Sequence, residues 1–159
     1  MEAVEKLDAA IYERAAKLVR SGKTHPPIII MDTGHPGKPW KVIDVSGKMG
    51  NEAEKDMVAE LIDLLSLHPS VAIVAFVSEA WMVTDPKAMA EGVRPSQHPN
   101  RVECVVVSFS IGNSRRAINT HRIVRNAGKR PRLERGQLQI ENDEAKFEGR
   151  FFAERRLAH

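Results

Sequence analysis

Cysteine is all but missing from this chain. Cys104 is the only one in 159 residues, so no intramolecular disulfide can form. Flanked by Val102, Val105 and Val106, its thiol reads as a buried small hydrophobe rather than a nucleophile. Such usage suits a reducing cytoplasm. Long apolar runs are missing as well. The longest is broken by Ser78 and Glu79, too short and too polar to span a bilayer. The opening Met1-Glu2-Ala3-Val4-Glu5-Lys6 lacks the basic start and apolar centre of a signal peptide. A soluble cytoplasmic protein with no membrane role is therefore expected. Metal and nucleotide signatures are absent too, with no HxxxH or HExxH spacing and no phosphate-binding glycine loop. Four of the six histidines, His25, His35, His68 and His98, precede proline, where a restricted pre-proline residue marks an element boundary. Neither a metal nor a cofactor is expected.

What is present is ordinary globular material, 42% hydrophobic and 28% charged, long enough for a core without covalent staples. Val4, Leu7, Ile11 and Leu18 recur at helical spacing, with Glu2 and Glu5 near the start, Lys17 and Arg20 near the end and Gly22 as the stop. Ile28 to Met31 and Trp40 to Val45 read as strands joined by a turn rich in Gly and Pro. Asn51 caps a second helix, Glu54 completes part of a capping box, and Met57, Val58, Leu61, Ile62, Leu64 and Leu65 form a broad apolar face up to His68-Pro69. Val71 to Val77 and Val105 to Phe109 are apolar at odd and even positions alike, so both faces of their sheet should be covered. Arg116 to Arg125 and Leu133 to Ile140 suit an antiparallel pair. Residues 143–157 suggest a final helix, with Phe147 and Phe151 at i,i+4, although Gly149 opposes it. The expected architecture is a single α+β domain over 1–159, a mainly antiparallel sheet with helices packed on it, in the order α-β-β-α-β-β-β-β-α.

Charges cluster where the two central strands meet the long, proline-punctuated connection over 84–100. If Trp81 lies roughly opposite Arg101, Glu79 falls roughly opposite Glu103 on the same face. Two carboxylates so placed resist ionising together, as acid/base chemistry requires. Glu79, Glu103, Arg101 and His98 are therefore candidate catalytic residues, with Asp85 as a further helper. The competing reading is a Glu–Arg–Glu pairing that pins the strand register.

Two short motifs invite comparison. Ser78-Glu79-Ala80-Trp81, followed by Arg94-Pro95-Ser96 and Pro99-Asn100-Arg101-Val102-Glu103, resembles small uncharacterised proteins of bacteria and phages with a Ser-Glu-Ala-Trp strand and a Pro-Ser…Pro-x-Arg-x-Glu loop. The likeness covers about a quarter of the chain and implies a mobile-element origin and no particular activity. Asp32-Thr33-Gly34 after an apolar strand looks like the activating turn of retroviral-type aspartic proteases, with Ile111-Gly112-Asn113 as a weak echo. His35-Pro36 stands where that family needs a small residue, so a plain turn between strands is the better reading.

Charge is unevenly spread. Residues 1–112 hold twelve Lys and Arg against fifteen Asp and Glu, whereas 113–135 hold eight against one. Arg115, Arg116, Arg122, Arg125, Lys129, Arg130, Arg132 and Arg135 would line a basic hairpin able to track a phosphate backbone. No Phe, Trp or Tyr lies in that segment, which points toward a duplex or structured RNA backbone rather than stacked single strands. Such charges also guard strand edges against aggregation. The leading expectation is a non-enzymatic binding protein that contacts nucleic acid or a protein partner. A hydrolase using Glu79 and Glu103, and a homo-oligomeric assembly component, are the alternatives.

Overall fold

The structure, a computed structural model, describes residues 2–33, 35–83, 92, 94, 97–112, 115–144 and 146–154. Helix α1 (Glu2–Arg20) buries Val4, Leu7 and Ile11 as expected and continues the stripe through Ala15 and Val19, so that Leu18 is only half-buried. It ends where Gly22, at φ 79°, adopts the left-handed conformation that a helix terminus favours. Strands β1 (Ile28–Asp32) and β2 (Trp40–Asp44) form a hairpin. Thr33 closes its turn, donating its amide to the Pro39 carbonyl and its hydroxyl to that of Lys38. The Asp32-Thr33 motif thus serves as a turn, and Gly34 lies outside the described residues. Helix α2 (Glu52–Ser66) starts at Asn51, whose side chain accepts the Glu54 amide while Glu54 accepts from the Asn51 side chain.

The long strands β3 (Ile73–Met82), β4 (Val102–Ile111) and β5 (Arg115–Val124) follow. Short strands β6 (Arg132–Glu134) and β7 (Gln139–Ile140) both pair with β5. All pairings are antiparallel, and the seven-stranded sheet runs β2-β1-β3-β4-β5-β6. This is an α+β fold.

Both faces of the sheet are covered, and alternation along each strand decides which residue serves which face. Ile28, Ile30, Ile73, Ala75, Val77, Val105, Val107, Phe109 and Ala117 pack with the α1 stripe. Ile29, Val74 and Phe76 pack with Val58 and Ile62 of α2. That double coverage explains why the middles of the central strands are apolar at odd and even positions alike. The second helix buries less than its sequence offers, since Met57 and Leu64 remain exposed.

Beyond β5 the structure departs from the expected pattern in two places. Leu133 to Ile140 is not one strand but two, split at Gly136. A Cβ there would lie 2.0 Å from the Thr120 carbonyl oxygen, so only glycine permits this approach to β5. The expected helix over 143–157 is likewise replaced, among its described residues, by turns and extended chain laid on the α2 side of the sheet. Arg116 dictates this. Its guanidinium donates to the carbonyls of Phe147 (2.8 Å) and Ala153 (2.6 Å) and lies 5.1 Å from the Phe152 ring centroid. Glu141 accepts the amides of Arg116 and Phe147. Ser110 accepts the Ala153 amide, and Phe151 stacks on Phe76 at 4.2 Å. Backbone groups that a helix would pair internally are spent on the sheet instead.

Arg116→Met should therefore lower unfolding stability by roughly 2–4 kcal/mol, because charge-assisted bonds to two carbonyls are lost. Arg115→Met, on an exposed neighbour, should stay within about 0.5 kcal/mol. Urea denaturation of the two variants checks the clamp, and equal losses would contradict it.

Candidate nucleic-acid interface

The end of the central sheet where β3 leaves and β4 enters is set by the register of one on the other. Met82 pairs with Val102, Trp81 with Glu103 and Glu79 with Val105. The expected pairing of Trp81 with Arg101, and of Glu79 with Glu103, is thus off by two residues. The reason is that β4 begins at Val102, which leaves Arg101 one step beyond the ladder. Glu79 and Glu103 still share a face, as diagonal neighbours, and line a cavity of about 110 Å³ with Ala80, Trp81 and Cys104.

The two carboxylates have different partners. Glu79 accepts the amide of His25 at 2.8 Å, tying the segment before β1 to the sheet. Glu103 binds the Nε of Arg125 at 2.6 Å. Arg101 bridges neither acid through a salt bridge. Its guanidinium carbon sits 4.8 Å from the Trp81 ring centroid, and its Nη1 donates to the His98 carbonyl at 3.3 Å. His98 is buried, and its Nδ1 accepts the Asn100 amide at 3.0 Å. That histidine therefore holds the chain as it enters β4. The Glu–Arg–Glu pairing is replaced by Glu103–Arg125 and Arg101–Trp81. Asp85 lies outside the described residues.

Strand β5 brings part of the basic segment to this same end. Cys104 pairs with Arg122, and continuing that register sets Arg125 beside Arg101. A groove of about 370 Å³ results, lined by Trp81, Arg101, Glu103, Arg122, Arg125 and Asn126 together with Val102, Ile123 and Val124. Trp81 is 39% exposed there. The rim cluster and the basic segment, separate in the sequence, are one surface. Lys129 and Arg130 extend it along the β5–β6 turn, and Arg132 pairs with Glu134 at 3.3 Å.

Two members of the expected basic set do not belong to it. Seven residues of strand put Arg115 roughly 20 Å or more from Arg122, at the opposite end of β5. Arg116 is committed to the clamp on the C-terminal segment. A hairpin of uniform basic character is therefore corrected to one basic end.

Sequence reasoning missed a buried polar cluster between α1 and β5. Asn119 donates to Asp8 at 2.9 Å, and His121 Nε2 lies 3.9 Å from the other Asp8 oxygen. Gly136 donates its amide to His121 Nδ1 at 2.9 Å and offers its carbonyl to Asn119 at 3.3 Å. Tyr12 packs at 5.1 Å from the His121 ring, and Arg135 lies over Tyr12. The signal was there: Asp8 falls in the apolar stripe of α1, and Asn119 and His121 share the parity of Ala117 and Ile123. Burial raises the Asp8 pKa above its ordinary value, against the lowering effects of Asn119 and Arg135. Burial, with Arg135 nearby, lowers that of His121 to about 4. The cluster is sealed, with His121 fully buried, so it supports the fold rather than a reaction. Among the described residues, no three His, Cys, Asp or Glu side chains come together to hold a metal, and no helix is long and apolar enough to cross a membrane.

Comparisons with protein-family models, with curated proteins and with solved structures find no match to this chain.

The cluster has a pH signature. His121 stays neutral in the folded chain down to about pH 4 but protonates near 6.5 once unfolded. Between those values the unfolded state binds more protons, so stability is full above pH 6.5 and falls as pH drops. The loss at pH 4.5 relative to pH 7 should be about 2–3 kcal/mol from this group. His25, also lowered by burial, adds to it. Asp8, being raised, opposes it in the acid range. Urea unfolding at both pH values should show a shallower dependence in His121→Gln than in the parent, and an unchanged dependence would remove His121 as its source.

Proposed function

We propose that this chain is a nucleic-acid-binding protein that holds a phosphate backbone at the end of its central sheet where β3 leaves and β4 enters. The observation that carries this reading is the groove uniting Arg101, Arg122 and Arg125 with Trp81. Among the described residues, the ion pairs of Arg101, Arg122, Arg125, Lys129, Arg130 and Arg132 are Arg125–Glu103 and Arg132–Glu134, which leaves basic charge in excess along this surface. Concentrated positive charge in a concave site attracts polyanions and speeds their approach. Guanidinium groups suit phosphate because they present a planar fork of donors and never deprotonate. Trp81, Arg101 and Glu103 are also the residues by which the chain resembles bacterial and phage proteins, which supports treating them as one unit and fits a mobile-element origin.

The hydrolase reading is weaker on geometry. Its proposed acid and base, Glu79 and Glu103, are bound to the His25 amide and to Arg125. The assembly reading draws on Met57 and Leu64, exposed on α2.

Binding of a labelled oligonucleotide, followed by fluorescence anisotropy, tests the proposal. With about four phosphates neutralised, affinity should fall some 50-fold or more between roughly 50 and 200 mM salt. Arg122→Gln and Arg125→Gln should each weaken binding and reduce the salt slope by about one. Arg115→Gln, at the far end of the strand, should change neither. Absence of salt-sensitive binding to DNA, RNA or heparin would dispose of the proposal, as would an equal effect from Arg115→Gln.

A further inference from the structure

We infer that the groove takes a single strand, with Trp81 stacking on a base while Arg122 and Arg125 meet the phosphates. The inference rests on the nucleic-acid reading above and goes beyond it in naming the form of the ligand. It reverses the sequence-level expectation of a duplex backbone. That expectation followed from the lack of aromatics in 113–135, yet the β3–β4 pairing brings Trp81 to the basic end from more than thirty residues away.

Three features favour a single strand. The first is exposure. Trp81 is an apolar side chain at the sheet rim with 39% of its surface open, and it lies on the groove wall rather than in either core. Arg101 covers part of the indole at 4.8 Å and leaves the remainder for a second planar group. An indole flanked by a guanidinium is a stacking platform that every base can use, since every base has a π-face. In a duplex those faces are occupied by neighbouring bases, and a groove-wall tryptophan would find only edges and sugars.

The second is the mixed charge of the groove. A channel for backbone alone has no use for an acid, because a carboxylate near a phosphate repels it. Glu103 nevertheless lies in the wall, bound to Arg125, with Asn126 beside it. A carboxylate and an amide can accept from and donate to base edges, which an unpaired strand exposes. The third is placement. Arg125 binds Glu103, the cross-strand partner of Trp81, while Arg122 stands in the adjoining Ala80–Cys104 row, whose side chains alternate to the other face of the sheet, and both line the groove. Phosphates and bases of one strand can therefore be engaged in a single groove, the arrangement by which single-strand binders work.

The test uses three probes of equal length, about twelve nucleotides: an oligothymidylate, its duplex with oligoadenylate, and an abasic oligomer with the same phosphates and no bases. The oligothymidylate is expected to bind roughly 10-fold more tightly than the abasic oligomer. Trp81→Ala should weaken oligothymidylate binding more than abasic binding and so bring the two together. Trp81→Phe, which keeps an aromatic ring and the fold, should retain most of the difference. Intrinsic fluorescence should be quenched by the oligothymidylate in Trp40→Phe and not in Trp81→Phe. Equal binding of all three probes, tighter binding of the duplex, or a Trp81→Ala loss that is the same for the abasic oligomer would overturn the inference and leave the polyanion site standing. Failure of all three probes to bind would overturn both.

Discussion

The pairing of Trp81 with Glu103 is the constraint on which this protein's candidate site depends. It fixes the β3–β4 register, puts Arg101 one residue outside the ladder, and so frees that guanidinium to lie on the indole. The separate β4–β5 register sets Arg122 beside Cys104 and leads Arg125 to Glu103. A register shifted by two residues would have paired Glu79 with Glu103, and Arg101 would have lain within the ladder. The same side chains would then have formed a different surface. A one-residue slip is excluded because Ala75, Val77, Val105 and Val107 on one face, and Val74 and Phe76 on the other, must each reach its own core, whereas a shift of two keeps every residue on its face.

Two polar assemblies hold the sheet that presents this end. On the α1 side, Asp8, Asn119 and His121 are sealed among apolar neighbours, with Gly136 supplying a donor and an acceptor at a distance no larger residue allows. On the α2 side, Arg116 and Glu141 draw the C-terminal chain over the sheet. Both act on β5, the strand that carries Arg122 toward the groove. Buried polar groups of this kind specify one arrangement where an apolar core would tolerate several.

Much of the fold was legible in the residues themselves. The α1 stripe through Val4, Leu7 and Ile11, the Asn51–Glu54 cap and the two-sided apolarity of β3 and β4 are local signals, and each is borne out. What could not be read locally depended on partners distant in sequence. The C-terminal stretch carries a helical Phe147–Phe151 spacing, yet Arg116 takes its carbonyls, and no window of fifteen residues contains that competitor. Leu133 to Ile140 looks like one strand until Gly136 meets the Thr120 carbonyl. The candidate site divides in the same way. Trp81, Arg101 and Glu103 stood out as misplaced charge and aromatic surface at a strand end, and Arg122 and Arg125 as basic charge. Their meeting depended on register, which the 84–100 connection leaves open to a shift of two. Asp8 and His121 had a usable signal, polar residues in phase with an apolar stripe, that invites a search for the partner which satisfies them.

The most direct test of the central claim is a nitrogen–proton NMR titration with a short oligonucleotide, following indole, arginine side-chain and backbone signals together. The groove account expects the largest shifts at the Trp81 indole and at Arg101, Arg122 and Arg125, with the Trp40 indole and Arg115 unmoved. Shifts centred on Arg115, or spread over β2 and α2 with Trp81 silent, would contradict it.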